Sequence, residues 1–256
     1  MEIKELVLPH ELSKPYTSIS DYGILLYGRE KIGKTTFAAQ FPDALFLMFE
    51  PGGKALSLYK IDINSWSDFL QTMNLLKKEK RFKTIIIDTV DICYKMCFDY
   101  VCKKLGVDHP SEEGWSKAWN MIKDEFQKQI SILLKLNRGV LFISHATEKE
   151  IKKRYGESEH RIIPTMSKQA RDVLEPMIDI WMYCEYGEQE RQFIIRGDQL
   201  VSAGHRLQNN FVNIDKISMG NSSKESYNNF IDAFNNIEKR KKLTNEKNEV
   251  KIKIRR

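Results

Sequence analysis

Short apolar runs alternate with longer amphipathic stretches along the first 145 positions, and this alternation predicts the fold class. Ile24-Leu25-Leu26-Tyr27 ends on Gly28, and Ala44 to Phe49 closes on Pro51-Gly52-Gly53. Thr84 to Ile87 ends on Asp88, and Val140 to Ile143 ends on Ser144. Runs this short, apolar at successive positions and bounded by turn or polar residues, read as strands buried on both faces of a parallel sheet. Helical spacing fills the intervals. Lys34 to Gln40 reads as a helix halted before Pro42. Ser65 caps a helix whose stripe is Trp66, Phe69, Met73 and Leu76. Ile92 to Leu105 and about Trp115 to Leu136 supply two more, the last ending at Asn137-Arg138-Gly139. The expected architecture is α/β, with a mainly parallel central sheet covered by helices on both faces.

After His145 the pattern changes. Glu150 to Arg154, a turn at 155–158, and His160 to Ile163 predict an exposed β-hairpin. A short helix from Ser167 to Leu174 follows, then strands from Ile178 to Cys184 and from Gln192 to Arg196. A last amphipathic helix is expected over about Lys224 to Lys239. With neither internal repeats nor a Pro- or Ser-rich linker, the chain divides into an N-terminal extension (1–20), one α/β domain (21–237) and a tail (238–256).

Composition narrows the function classes. Of 256 residues, 41% are apolar and 30% charged, as in a charge-rich globular protein. The longest apolar runs are about six residues, against roughly 20 for a membrane helix. The first residues lack the apolar core of a secretory signal, so the expected location is cytoplasmic and no membrane partner is expected. Cys93, Cys97, Cys102 and Cys184 form no CxxC pair and read as reduced, buried thiols. The net charge of +6 sits entirely at the C-terminus. Residues 238–256 hold nine Lys/Arg against three acidic residues, leaving 32 of each in the remainder. A basic tail is either a solvated segment or a non-specific grip on nucleic acid.

The chemistry begins at Gly28-Arg29-Glu30-Lys31-Ile32-Gly33-Lys34-Thr35, which fits GxxxxGK[ST] between a predicted strand and a predicted helix. Glycines let backbone N–H groups close around phosphate oxygens, and the helix start adds its positive dipole end. Lys34 reaches the β- and γ-phosphates, the Thr35 hydroxyl ligates Mg²⁺, and Thr36 completes the phosphate-binding segment. Asp88, ending its strand after a β-branched run, is placed to hold the metal through water. Thr89 and Asp91 either support the metal shell or cap the next helix. In open α/β sheets the ligand crevice lies outside the strand C-termini, so Glu50, Asp88 and His145 should converge on the phosphates. Hydrolysis needs a carboxylate to orient and deprotonate water. Glu50 is the best-placed candidate, with a simple turn glutamate as the alternative.

These pieces together resemble the small RecA-core ATPases of bacteriophages that act in single-strand annealing and recombination. The resemblance rests on GREKIGKTTFAAQFP, ALFLMFEPGG, TIIIDTVD, GWSKAWNMIKDEF, VLFISHATEKE and SAGHR, and spans about residues 22–207. It implies a RecA-like P-loop NTPase fold with an extra β-hairpin and C-terminal strands. It also implies that Glu50 activates water and that His145 senses the γ-phosphate and signals to a DNA-binding loop. Where relatives carry a Lys/Arg pair before the C-terminal turn, this chain has His205-Arg206, so Arg206 is the cationic match. We expect it to act across a subunit boundary.

The DNA loop then falls on residues 148–171, with Lys149, Lys152, Lys153, Arg154 and Arg161 for phosphates and Tyr155 for stacking on a base; Lys168 and Arg171 add charge. Basic residues interleaved with an aromatic hold single strands without sequence preference. The glutamates at 148, 150, 157 and 159 dilute this charge and leave a solvated hairpin as the competing reading. The expected function is a DNA-stimulated, Mg²⁺-dependent ATPase that binds single-stranded DNA in phage recombination or annealing. Its expected state is a homo-oligomer, ring or filament, with ATP at subunit interfaces, and a single-strand DNA-binding protein is a candidate partner. The alternatives are a DNA-annealing module that uses ATP without hydrolysis, and a P-loop accessory or loader factor acting on a protein.

Overall fold

The computed structural model describes residues 7–113, 117–151, 158–188 and 190–237. Residues 7–18 are exposed and irregular up to a short 3-10 turn at Ile19–Asp21. Four strands form where the apolar runs predict them: β1 (Gly23–Gly28), β2 (Ala44–Met48), β4 (Thr84–Asp88) and the start of β5 (Gly139–Ile151). Between β2 and β4 lies β3 (Tyr59–Asp62), which the apolar pattern does not announce. Six helices were also anticipated, the first five being α1 (Lys34–Ala38), α2 (Trp66–Leu76), α3 (Val90–Leu105), α4 (Lys117–Leu134) and α5 (Lys168–Leu174). The C-terminal part adds β6 (Glu159–Pro164), β7 (Ile180–Tyr186), β8 (Arg191–Ile194), β9 (Gly204–His205), β10 (Lys216–Ser218) and α6 (Ser223–Phe234).

The sheet runs β10-β8-β7-β1-β5-β4-β2-β3. The six strands from β7 to the edge strand β3 are parallel throughout. β8, β9 and β10 add antiparallel pairs at the C-terminal end of the chain. The expected mixed, mainly parallel sheet is therefore what the chain forms.

Period-2 alternation sends neighbouring residues of each strand into different cores. Leu25, Tyr27, Leu47, Ile85, Ile87 and Phe142 join Trp66, Phe69, Phe126 and Leu133 beneath α2 to α5. Ile24, Leu26, Phe46, Ile86, Leu141 and Ile143 join Phe37, Phe193, Phe211, Phe230 and Phe234 beneath α1 and α6. Burying each such side chain contributes about 1.5–3 kcal/mol relative to exposure. The four cysteines are buried free thiols, as expected, and burial pushes Cys184 up to about 12.

Several elements differ from the sequence reading, among them β9 and β10, which it does not announce, and for three the local reason is visible. β5 runs thirteen residues, because after His145 its outer half leaves the core and pairs with β6, from Ala146↔Pro164 to Ile151↔Glu159. β3 carries exposed Tyr59, Lys60 and Asp62, since a strand at the sheet edge needs no apolar run. α3 begins at Val90, and Asp91 does not cap it. Its carboxylate instead accepts hydrogen bonds from Ser144 Oγ and Thr165 Oγ1. Among the described residues no helix is long and apolar enough to cross a membrane.

Candidate nucleotide site

The loop between β1 and α1 is shaped by close approach and by backbone sign. A Cβ on Gly28 would lie 2.5 Å from the Cys184 carbonyl oxygen of neighbouring β7, so no larger residue fits there. Gly33 adopts φ +112°, a left-handed conformation glycine takes at little cost. Ile32 is fully buried beneath the loop and anchors it to the α1–α6 core. Phe37 N–H donates to Gly33 O at 2.9 Å and starts the helix.

Lys34 is 6% exposed. Its ammonium donates to the Gly28 and Arg29 carbonyls, both at 2.8 Å, and makes no ion pair among the described residues. Burial lowers its pKa, with Cys184, Asp88 and Glu50 opposing the shift. A buried ammonium satisfied only by carbonyls is costly to the folded chain, a cost that an anionic ligand would relieve. Thr35 Oγ1 donates to Asp88 Oδ2 at 2.8 Å. Burial raises the Asp88 pKa, the Thr35 hydrogen bond opposes this, and the nearby Glu50 adds to the rise. Both predicted metal residues thus meet in one place. Among the described residues no cluster of three or more His, Cys, Asp or Glu could hold a metal unaided. A hydroxyl beside one carboxylate suits Mg²⁺, which completes its shell with water and phosphate oxygens.

The strand C-termini bring the remaining candidates in. Phe49 N–H donates to Asp88 O at 2.8 Å and keeps the ends of β2 and β4 level. Glu50 follows directly. His145 sits opposite Gly28 in the β1–β5 register, and its Nε2 lies 3.3 Å from Glu50 Oε1. Gly33, Lys34, Thr35, Thr36, Glu50, Asp88 and His145 line a single cleft of about 640 Å³.

Other predicted residues lie elsewhere. Arg206 is at the opposite edge of the sheet, where its guanidinium donates to the Pro176 and Ile178 carbonyls and lies 3.6 Å from Asp179. It takes no part in this chain's own phosphate cleft. On the hairpin Lys149 is exposed opposite Arg161. Arg161 turns towards the body and donates to Asp198 O at 3.3 Å. Lys168 is engaged in an ion pair with Asp172 at 2.6 Å. Lys152, Lys153, Arg154, Tyr155 and the basic tail lie outside the described residues.

The sequence reading misses Arg191, which lines the same cleft and donates to Ile32 O at 3.1 Å. The available signal was topological. A strand that turns back at Gly187, after one running parallel to β1, must start at the ligand edge of the sheet.

A glycine loop closed on a desolvated lysine, with a hydroxyl and a carboxylate at its metal end, defines a P-loop nucleotide-binding domain of the ATPase class. The family model AAA_24, described as an AAA domain, matches residues 20–207, and the chain belongs to that family. A SPbeta prophage-derived uncharacterized protein of Bacillus subtilis, YorG, is 31% identical over 148 residues, covering 55% of this chain and 46% of the relative. The match thus spans about half of that curated relative. Among solved structures, a KaiC-like protein of Pyrococcus horikoshii aligns with a TM-score of 0.45 at 16% identity, covering 80% of this chain and 88% of its own. The RadB recombinase aligns with a TM-score of 0.44 at 13% identity, covering 80% and 90%.

Proposed function

We propose that the chain is a RecA-like, Mg²⁺-dependent ATPase that binds single-stranded DNA and couples the two events in phage recombination or annealing. One observation carries the reading. β5 holds His145 against Glu50 at the phosphate cleft and continues without interruption into the hairpin with β6. Thr165, just after β6, closes the loop back onto this point, donating its N–H to His145 O at 3.0 Å.

In this reading Lys34 leaves the two loop carbonyls for the β- and γ-phosphate oxygens, while the loop N–H groups hold the phosphates in place. Glu50 orients water and takes its proton as the new bond to the γ-phosphorus forms and the bond to the bridging oxygen breaks, releasing ADP. Mg²⁺, held through Thr35 and Asp88, would neutralise charge on the β- and γ-oxygens. His145, hydrogen-bonded to Glu50, reports the occupancy of that end to the hairpin. A neighbouring protomer's Arg206 would supply a further cation, giving an oligomer with ATP at its interfaces.

ATP turnover with and without single-stranded DNA, across a salt series, tests the proposal. Turnover should rise with DNA, and the rise should shrink as salt screens the phosphate contacts. Turnover indifferent to DNA at every salt concentration removes the coupling. DNA binding without any turnover favours the non-hydrolysing annealing module.

A further inference from the structure

Lys34 is not the only cation lining the phosphate cleft, which Glu50, Asp88 and His145 also line. The guanidinium of Arg191 lies beside Gly33 and Thr36 on the glycine loop. Its Nη1 is 3.0 Å from where a Gly33 Cβ would stand, and the Thr36 hydroxyl is 3.3 Å from the same point. Backbone pairing fixes this position from two sides. Arg191 pairs with Tyr186 of β7, and its carbonyl accepts the Met219 N–H at 2.9 Å. The side chain is half-buried. Of its five N–H donors, the described structure uses one, on the Ile32 carbonyl. It has no carboxylate partner among the described residues.

A partly desolvated guanidinium without a counter-ion, held beside a glycine loop, is placed for an anion. Resting on the reading of this cleft as a nucleotide site, we propose that Arg191 binds the α- and β-phosphates of a nucleoside di- or triphosphate from within the same chain. The loop glycines cradle those two phosphates, while Lys34 reaches further towards the γ-position. Arg191 therefore contributes to ADP and ATP binding alike and does not distinguish them. It is a different cation from Arg206, which faces the other edge of the sheet.

Equilibrium binding of fluorescent ADP and ATP with Mg²⁺, paired with melting curves of the nucleotide-free protein, tests this. Arg191→Gln should melt within about 2 °C of the parent, a shift worth less than one surface contact. It should weaken both nucleotides by about tenfold or more, the loss expected for a charge-assisted hydrogen bond. Arg191→Lys keeps the charge without the fork and should fall between the two, and it decides the matter if the glutamine variant does not fold. Affinity retained in either folded variant overturns the proposal. Loss for ATP alone reassigns Arg191 to the γ-phosphate, and a loss that follows a lowered melting temperature reduces it to a loop strut. If the parent itself binds neither nucleotide, the nucleotide reading of the cleft fails first.

Discussion

The two edges of the parallel sheet treat charge in opposite ways. At the edge where β1 and β7 begin, Asp179 and Arg206 satisfy one another and the neighbouring backbone, while among the described residues His205 there has no hydrogen-bond partner for either nitrogen. Asp179 Oδ2 accepts the Gly23 N–H at 2.9 Å and lies beside Arg206, whose guanidinium closes on two carbonyls. At the edge where β1, β2, β4 and β5 end, charges are buried without full partners. The Lys34 ammonium rests on carbonyls, Asp88 is pushed towards protonation by burial, and His145 Nδ1 has no hydrogen-bond partner among the described residues. One edge contributes stability to the fold. The other keeps groups whose cost a ligand would relieve, so the same kind of substitution should damage different properties at each edge.

The largest effect separates binding from stability. Lys34→Ala should weaken ATP binding at least about 100-fold, because the phosphates lose their buried cation. Its nucleotide-free melting temperature should stay level or rise, because an incompletely paired buried charge has gone. Binding that survives, or a fall of many degrees, would erase the contrast between the edges. Next in size, Glu50→Gln should retain ATP binding and lose about 10²–10⁴-fold in turnover, the range a positioned base supplies. Turnover within a few-fold of the parent would leave Glu50 as a turn residue and send the search for the base elsewhere.

At the opposite edge the ranking reverses. Arg206→Ala strips hydrogen bonds from two carbonyls and a neighbour from Asp179, so it should cost about 1–3 kcal/mol. In a chain of this size that lowers the melting temperature by roughly 2–12 °C. To act on a neighbour's γ-phosphate, Arg206 must first leave those carbonyls. Mixing inactive Arg206→Ala and Lys34→Ala proteins decides between the two roles. Recovered turnover gives Arg206 a function in trans, whereas co-assembly without recovery confines it to the fold.

The same contrast explains what the sequence could reveal. β1, β2, β4 and the inner half of β5 are buried on both faces, so their apolar runs stand out from the surrounding pattern. The loop from Gly28 to Thr35 is legible because its chemistry is contiguous. β3 is not, because Tyr59, Lys60 and Asp62 owe their extended shape to β2 and not to their own burial. Arg191 reaches the cleft only through the β7–β8 turn and the β1–β7 pairing, contacts no local pattern encodes. Asp91 looks like a helix cap because it sits in the first turn of α3. Only the neighbouring β5 gives its carboxylate a different use, joining Ser144 to Thr165 and so binding the cleft strand to the end of the hairpin.

The smallest effect concerns His205, the residue before Arg206. Its ring packs against Phe211 at 5.3 Å between centroids. Neither nitrogen meets hydrogen-bond geometry with a partner among the described residues. Burial lowers its pKa below the ordinary 6.5, the Arg196 charge lowers it further, and the Leu207 backbone offsets this only in part. The sign follows from proton counting. Just below pH 6.5 the unfolded chain binds a proton at this position and the folded chain does not, so acidification favours unfolding. The stability from keeping His205 neutral is complete above pH 6.5 and declines as pH falls towards the depressed folded value. Because the ring is partly exposed, the change should move the melting temperature by no more than about 3 °C. His205→Gln removes the titration, so its melting temperature should vary less than the parent's between pH 7.5 and pH 5.5. If the two curves stay parallel through that interval, the acid sensitivity of this edge belongs to other groups, and His205 is held by its contact with Phe211 alone.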